Sequence, residues 1–332
     1  MNSIHSTSNE IPVLSVGAAF PMETLCAELP RAHALFDLAT RGVPPRALQA
    51  LDRASRAWLL RNGNQHLAEI DAIAAMLSRP GVYFLSVNYE WGCTCRVAPA
   101  PDQMSARLVR VLDWRTHGLG RNILAANVAG ASGGFVTLTW PGYTGVLQGM
   151  APGRFSASLN QAPMRRSGGG LMALDWAVNK RRVWRMPHGT PAHLLRDVFE
   201  TARTYQLARR MLIETPIASP AIFSLAGLGP NETCVIERLE EQAHVHDGPS
   251  VAANNWQTPG WQGRPRGRDS AGRSALMAAV DMAFDEDLSW LRAPILNERT
   301  RLVMIADAKA GRFIAQGFEA DGAATAVLNY VA

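Results

Sequence analysis

From Cys93 to about residue 160 the chain is a succession of short apolar runs cut by glycine and proline: RLVRVLDW, GFVTLTW, GVLQGM and RFSASLN. Runs of this length, with turn residues between them, predict short antiparallel strands. On both sides the apolar spacing becomes helical. Residues 45–79 read as a helical hairpin, with Leu48, Leu51, Ala54, Trp58 and Leu59 on one face of its first arm and Gly63 at that arm's end. Thr190-Pro191 opens another helix, with Thr as N-cap and Pro at the first helical position. Its apolar face is Leu194, Leu195, Val198, Phe199, Ala202, Tyr205 and Met211. The chain is therefore α+β, with antiparallel strands between two groups of helices. Sheets packed face to face with helices outside would bury all these faces.

The remaining segments fill in this plan. Residues 11–17 form a short strand, and VYFLSVNY (82–89) reads as a buried strand from its aromatic and β-branched content. Ser167 and three glycines lead into a helix that runs to about residue 178. Strands are expected at 221–227, 233–238 and 242–246, a polar loop at 254–273, and a helix at 274–284. A terminal hairpin turns at Lys309-Ala310-Gly311. No internal repeat is present.

Composition narrows the class. At 332 residues and 47% hydrophobic, the chain can bury a sizeable core, and its length alone suggests two domains. No stretch reaches the roughly 18 apolar residues of a membrane span. The first twenty residues do not pair a basic leader with a long apolar stretch, so no secretory signal and a cytoplasmic location are expected. A net charge of +5, with acidic residues interspersed, is too mild to argue for nucleic acid and leaves room for anionic lipid or an acidic substrate. Cys26, Cys93, Cys95 and Cys234 are too few for a disulfide framework and read as reduced thiols.

Three clusters could carry chemistry. Cys93 follows a glycine in Gly92-Cys93-Thr94-Cys95. Most free cysteines are small core residues, and Cys93 with Cys95 supplies only half a metal site without a second pair. His244 and His246 share one face of a strand and, with Asp247 and Asp113, would suit a metal-dependent hydrolase. An alternating surface strand explains them as well. Ser167-Gly168-Gly169-Gly170 lacks the spacing of a phosphate loop, and KRRVWR (180–185) reads as a solvated face.

Four segments in order then resemble one family. NYEWGCTCRVA (88–98) is similar to an aromatic segment leading into Cys-Thr-x-x-Val-Ala. RVLDW (110–114) is similar to Arg-Asn-x-Asp, with Val111 in place of Asn. WPGYTGVLQGMAPGRFSASLNQ (140–161) follows Gly-Tyr-x-Gly-x-Leu-x-Gly-x-x-Pro-Gly-x-Phe-Ser and then Leu-Asn-Glu, with Gln161 in place of Glu. NNWQ (254–257) and GRDSAGR (267–273) resemble Thr-Asn-Tyr-Asp and a later arginine. The family is the acid ceramidase and N-acylethanolamine-hydrolysing acid amidase group of N-terminal-nucleophile (Ntn) amide hydrolases, relatives of choloylglycine hydrolases.

The resemblance implies an αββα sandwich and a precursor that cuts itself between Gly92 and Cys93. Residues 1–92 would be an α-subunit with a helical pro-segment, and 93–332 a catalytic β-subunit. Cys93 would be the nucleophile, Arg110 would favour its thiolate, and Asp113 would orient the new α-amine. Asn255 would donate to the oxyanion, Arg268 would hold that arrangement, and Tyr143 and Asn160 would line the pocket. The implied reaction is hydrolysis of a fatty-acyl amide, with no metal or cofactor. The implied associations are the α/β heterodimer and transient contact with a membrane surface, without nucleic acid. The alternatives are an N-acyltransferase on the same scaffold, a metal-dependent hydrolase using His244 and His246, and a catalytically silent binding protein.

Overall fold

The structure is a computed structural model and describes residues 10–87, 90–167, 171–284 and 286–332. Two sheets carry the chain. The first has eight strands in the order Val13–Val16, Leu124–Val128, Phe135–Thr139, Gln148–Ala151, Phe155–Gln161, Ala221–Ala226, Thr233–Arg238 and Ala243–Asp247. Its first pair is parallel and the rest are antiparallel. The second runs Ser250–Ala252, Trp91–Pro99, Ala106–Trp114, Thr300–Asp307, Arg312–Glu319 and Gly322–Ala323. Leu328–Val331 also pairs with Arg312–Glu319.

Strand alternation sets the layers. On Trp91–Pro99, Cys93, Cys95 and Val97 belong to the main core together with Leu159 and Leu225 of the first sheet. On the neighbouring strand Val109 and Val111 point the other way, into a second core under Met277 and Ile295. The first sheet's outer face is covered by Pro191–Thr201 and Tyr205–Glu214, with Phe199 packing on Phe135 and Phe155 at ring separations of 5.2 Å. Helix, sheet, sheet, helix is the expected αββα order.

The N-terminal helices form a third core around Trp58, Leu59, Ile70 and Ile73. The expected hairpin is Pro45–Arg61 and Leu67–Leu77, and two further helices, Phe20–Ala27 and Leu29–Ala39, precede it. This part is joined to the sheets by more than packing. Val13–Val16 completes the edge of the eight-stranded sheet, and Trp58 Nε1 donates to the Met186 carbonyl at 2.8 Å.

Several expectations are corrected. VYFLSVNY is not a strand: Val82–Val87 is helical, and Asn88 and Tyr89 lie outside the described residues. The Asp52 carboxylate accepts from the amides of Gly81 and Phe84 at 2.6 and 2.9 Å, a tertiary cap that overrides strand propensity. The helix placed at 274–284 is Ser270–Met277. The face read from Leu194 to Met211 is shared by two helices, because Thr204 caps a new one by accepting from Leu207 N. The glycine run falls at Gly168–Gly170, outside the described residues. Of the basic run, Arg182 pairs with Glu240 at 3.1 Å, whereas burial pushes the Lys180 ammonium down to about 8. No helix among the described residues is long and apolar enough to cross a membrane.

Candidate active site

Register brings the site together. Trp91–Pro99 pairs antiparallel with Ala106–Trp114, setting Gly92 opposite Asp113 and Cys95 opposite Arg110. Cys93 and Cys95 share the inward face, so the long Arg110 side chain reaches diagonally to Cys93. Its Nη2 lies 3.1 Å from Cys93 Sγ. The other guanidinium nitrogens donate to Gln148 Oε1 at 2.9 Å and Asn160 Oδ1 at 2.7 Å. Arg110 and Cys93 are both fully buried, and no described carboxylate lies in ion-pair range of Arg110. A buried cation held only by neutral acceptors and a thiol favours negative charge on that sulfur. In the intact chain burial pushes the Cys93 thiol up to about 12, with Arg110 opposing the shift.

Asp113 faces the other side of the sheet, beside Gly92. Its carboxylate accepts from Thr300 Oγ1 at 3.0 Å and Asn297 Nδ2 at 3.1 Å, and lies 3.6 Å from Arg273 Nη1. Burial raises its pKa, and Arg273 and these two hydrogen bonds hold it down. A Cβ built on Gly92 would stand 3.2 Å from the Gly267 Cα and 3.5 Å from Asp113 Oδ2. A side chain at position 92 would be tight, and its neighbours would have to give by a few tenths of an ångström.

Two expected residues lie elsewhere. Asn255 accepts from the Ser270 hydroxyl at 2.6 Å and does not meet the cysteine. The asparagine on Cys93 is Asn254, whose Oδ1 accepts from the Cys93 amide at 2.7 Å while its Nδ2 donates to the Gln161 carbonyl. Arg268 is 60% exposed and pairs with Glu298. The arginine at the site is Arg273, which is buried and donates to the Cys93 carbonyl at 2.7 Å, to Thr94 Oγ1 at 2.8 Å and to Asn254 Oδ1 at 3.0 Å. Asn160 is buried behind Arg110, donates to the Ala252 and Ala253 carbonyls, and does not line an open pocket. Tyr143 lines an apolar hollow with Trp114 and Trp140. Gln161 Oε1 accepts from the Trp91 amide at 3.0 Å, next to the Gly92-Cys93 bond.

Neither alternative cluster assembles. Cys95 accepts from Ser158 Oγ inside the core. His244 and His246 lie on the edge strand of the first sheet, with His246 near Glu237, and Asp113 is in the second sheet. Among the described residues no group of three or more His, Cys, Asp or Glu is placed to hold a metal ion.

Two hollows flank the segment before Cys93. One, of about 270 Å³, is apolar and lined by Leu35, Phe36, Leu77, Trp114 and Trp140. The other, of about 460 Å³, has Gly92 and Asp113 on its floor. Glu90 lines both, and the Trp91–Trp114 ring pair at 5.2 Å stands between them.

Comparison with known proteins places this geometry. No family model matches the chain. The chain is 36% identical to acid ceramidase of Pan troglodytes over 110 residues, 33% of this chain and 26% of that protein. It is 28% identical to acid ceramidase of Bos taurus over 194 residues, 54% of this chain and 46% of that protein. The match thus spans less than half the length of these relatives. A solved structure of a Caenorhabditis elegans N-acylethanolamine-hydrolyzing acid amidase ortholog superposes with a TM-score of 0.51 and 21% identity, over 72% of this chain and 100% of that one. Paired sheets between helices give the chain the αββα fold of the Ntn hydrolases. Within that fold the chain is similar to acid ceramidases in sequence and to an N-acylethanolamine-hydrolyzing acid amidase in structure.

Proposed function

We propose that this chain is a precursor that cuts itself before Cys93 and then hydrolyses linear amides of fatty acids. The observation that carries the reading is the buried, carboxylate-free guanidinium of Arg110 on the Cys93 sulfur. A charge so placed costs stability and suits a sulfur that must become anionic.

In the first step the Cys93 thiol adds to the Gly92 carbonyl carbon. The bond to the Cys93 nitrogen breaks, that nitrogen leaves as a free α-amine, and Gly92 is held as a thioester. Water then releases Gly92 as a carboxylate and returns the thiol. The missing side chain at Gly92 lets the two atoms approach. Arg273 holds the Cys93 carbonyl, and Gln161 holds the strand through the Trp91 amide.

In the second reaction the α-amine, with an ordinary pKa of about 8, takes the proton of its own thiol. Asn254 Oδ1 already accepts from that nitrogen, and the Asp113 carboxylate beside Gly92 would stabilise the α-ammonium. The thiolate attacks the substrate carbonyl, the amine departs with the proton, and water hydrolyses the acyl thioester. The apolar hollow suits an acyl chain, with Tyr143 and Trp140 on its wall. Residues 1–92 remain bound as an α-subunit, and the net positive charge assists transient contact with anionic membrane. Hydrolysis of an N-acyl amide by the cleaved protein, lost in Cys93→Ala and retained in Cys95→Ala, tests the reading. Activity that survives Cys93→Ala overturns it.

A further inference from the structure

The 460 Å³ cleft over Gly92 is lined by apolar side chains, Met164, Met172 and Trp176, and by four arginines at positions 115, 264, 266 and 299. Arg264 is neutralised by Asp175 at 3.2 Å. Arg266 pairs with Glu90. Arg299 stands 3.6 Å from Glu298, but Glu298 also serves Arg268 at 2.9 Å, so one carboxylate faces two guanidiniums. The exposed Arg115 guanidinium has no hydrogen bond or ion pair with any described residue. Asp113 on the floor is answered by Arg273 at 3.6 Å, so the rim holds more guanidiniums than the described carboxylates neutralise.

Self-cleavage would add a Gly92 carboxylate and a Cys93 ammonium at the floor of this cleft, so the cut itself leaves the balance unchanged and the surplus rests on Arg115 and Arg299.

We propose, on the strength of the amidase reading, that the amine half of the substrate carries an anionic group, so that N-acyl amino acids are preferred to amides with neutral heads. The assignment of halves follows from the two hollows. The hollow on the far side of Glu90 is apolar and takes the acyl chain, which leaves the arginine-rimmed cleft for the amine. The cleft adjoins Cys93 through Gly92, so a carboxylate close to the amide nitrogen would face the rim when the carbonyl meets Cys93. Guanidinium pairs with carboxylate through two parallel hydrogen bonds, which a neutral hydroxyl cannot match.

The test compares three amides of one acyl length with cleaved enzyme: the glycine amide, the ethanolamide, and an ethanolamide with a carboxylate at the far end of its acyl chain. The expected kcat/KM is about tenfold or more higher for the glycine amide, carried by KM. In Arg115→Gln/Arg299→Gln this ratio should fall toward unity, with self-cleavage reporting that the variant folds. Equal turnover of glycine amide and ethanolamide overturns the inference and leaves the amidase reading standing. So does preference for the acyl-end carboxylate, or a ratio unchanged in the double variant. No turnover of any of the three by fully cleaved protein overturns both.

Discussion

At the scale of single residues the account turns on geometry that small changes should disturb. Arg110 makes three directed contacts through a planar guanidinium. Lysine keeps the charge and loses that fork. Arg110→Lys should therefore slow self-cleavage by roughly 10²-fold, the scale of one lost preorganised donor, as followed by mass at timed intervals. Gly267 poses a sharper constraint than Gly92. It has φ +71°, and a Cβ there would stand 2.7 Å from Arg273 Nη2. Gly267→Ala should displace Arg273 and cut more slowly than Gly92→Ala, whose nearest contact would be 3.2 Å. Cys93, Arg110 and Asp113 came from the family resemblance, and strand pairing in the structure sets Arg110 by Cys93 and Asp113 by Gly92. Asn254 and Arg273 were missed. They stand 19 residues apart with a polar loop between them, and the resemblance pointed to Asn255 and the exposed Arg268 instead. A loop's length says little about where it re-enters the core. Burial of one of two adjacent asparagines cannot be read without the loop's path.

At the scale of elements, the helix Ser270–Met277 delivers Arg273, and its N-cap is Asp269, accepting from Gly272 N at 2.9 Å. Asp269→Ala should cost about 1 kcal/mol of stability and slow self-cleavage as well, measured by urea unfolding of uncut protein and by cutting rate. Strand periodicity was read correctly where alternation or turn residues are local signals, as in Ala221–Ala226 and Thr233–Arg238. Val82–Val87 escaped because its helix depends on Asp52, some thirty residues upstream.

A second element contact predicts a pH effect. His193, on Pro191–Thr201, meets Asn64 and Thr144 at 3.2 Å and lies 4.7 Å from the His66 ring. Burial, then His66 and Arg196, hold its pKa well below 6.5. Glu69 and Asp197 are the acids nearby, on Arg196 and His66. An unfolded chain protonates this histidine below about 6.5, whereas the folded one resists, so its contribution is present above that pH and lost as pH falls. The urea midpoint should drop between about pH 7 and pH 5, and drop less in His193→Asn.

At the scale of the whole molecule, residues 1–92 are woven into the rest. They supply the edge strand Val13–Val16, the Trp58 bond to Met186, an Asn62 bond to the His188 carbonyl and the Glu69–Arg196 pair. Val13–Val16 pairs with Leu124–Val128 across the expected cut, which helical and strand periods cannot show because they say nothing of which strands pair. The cleaved halves should therefore elute together in native size exclusion and separate only in denaturant.

The most direct measurement is the intact mass of the purified full-length chain. The account predicts two species, residues 1–92 and residues 93–332, with Cys93 as the new N-terminus, and a single uncut species for Cys93→Ala. A chain that stays whole, or one that Cys93→Ala still cuts at that bond, would contradict it.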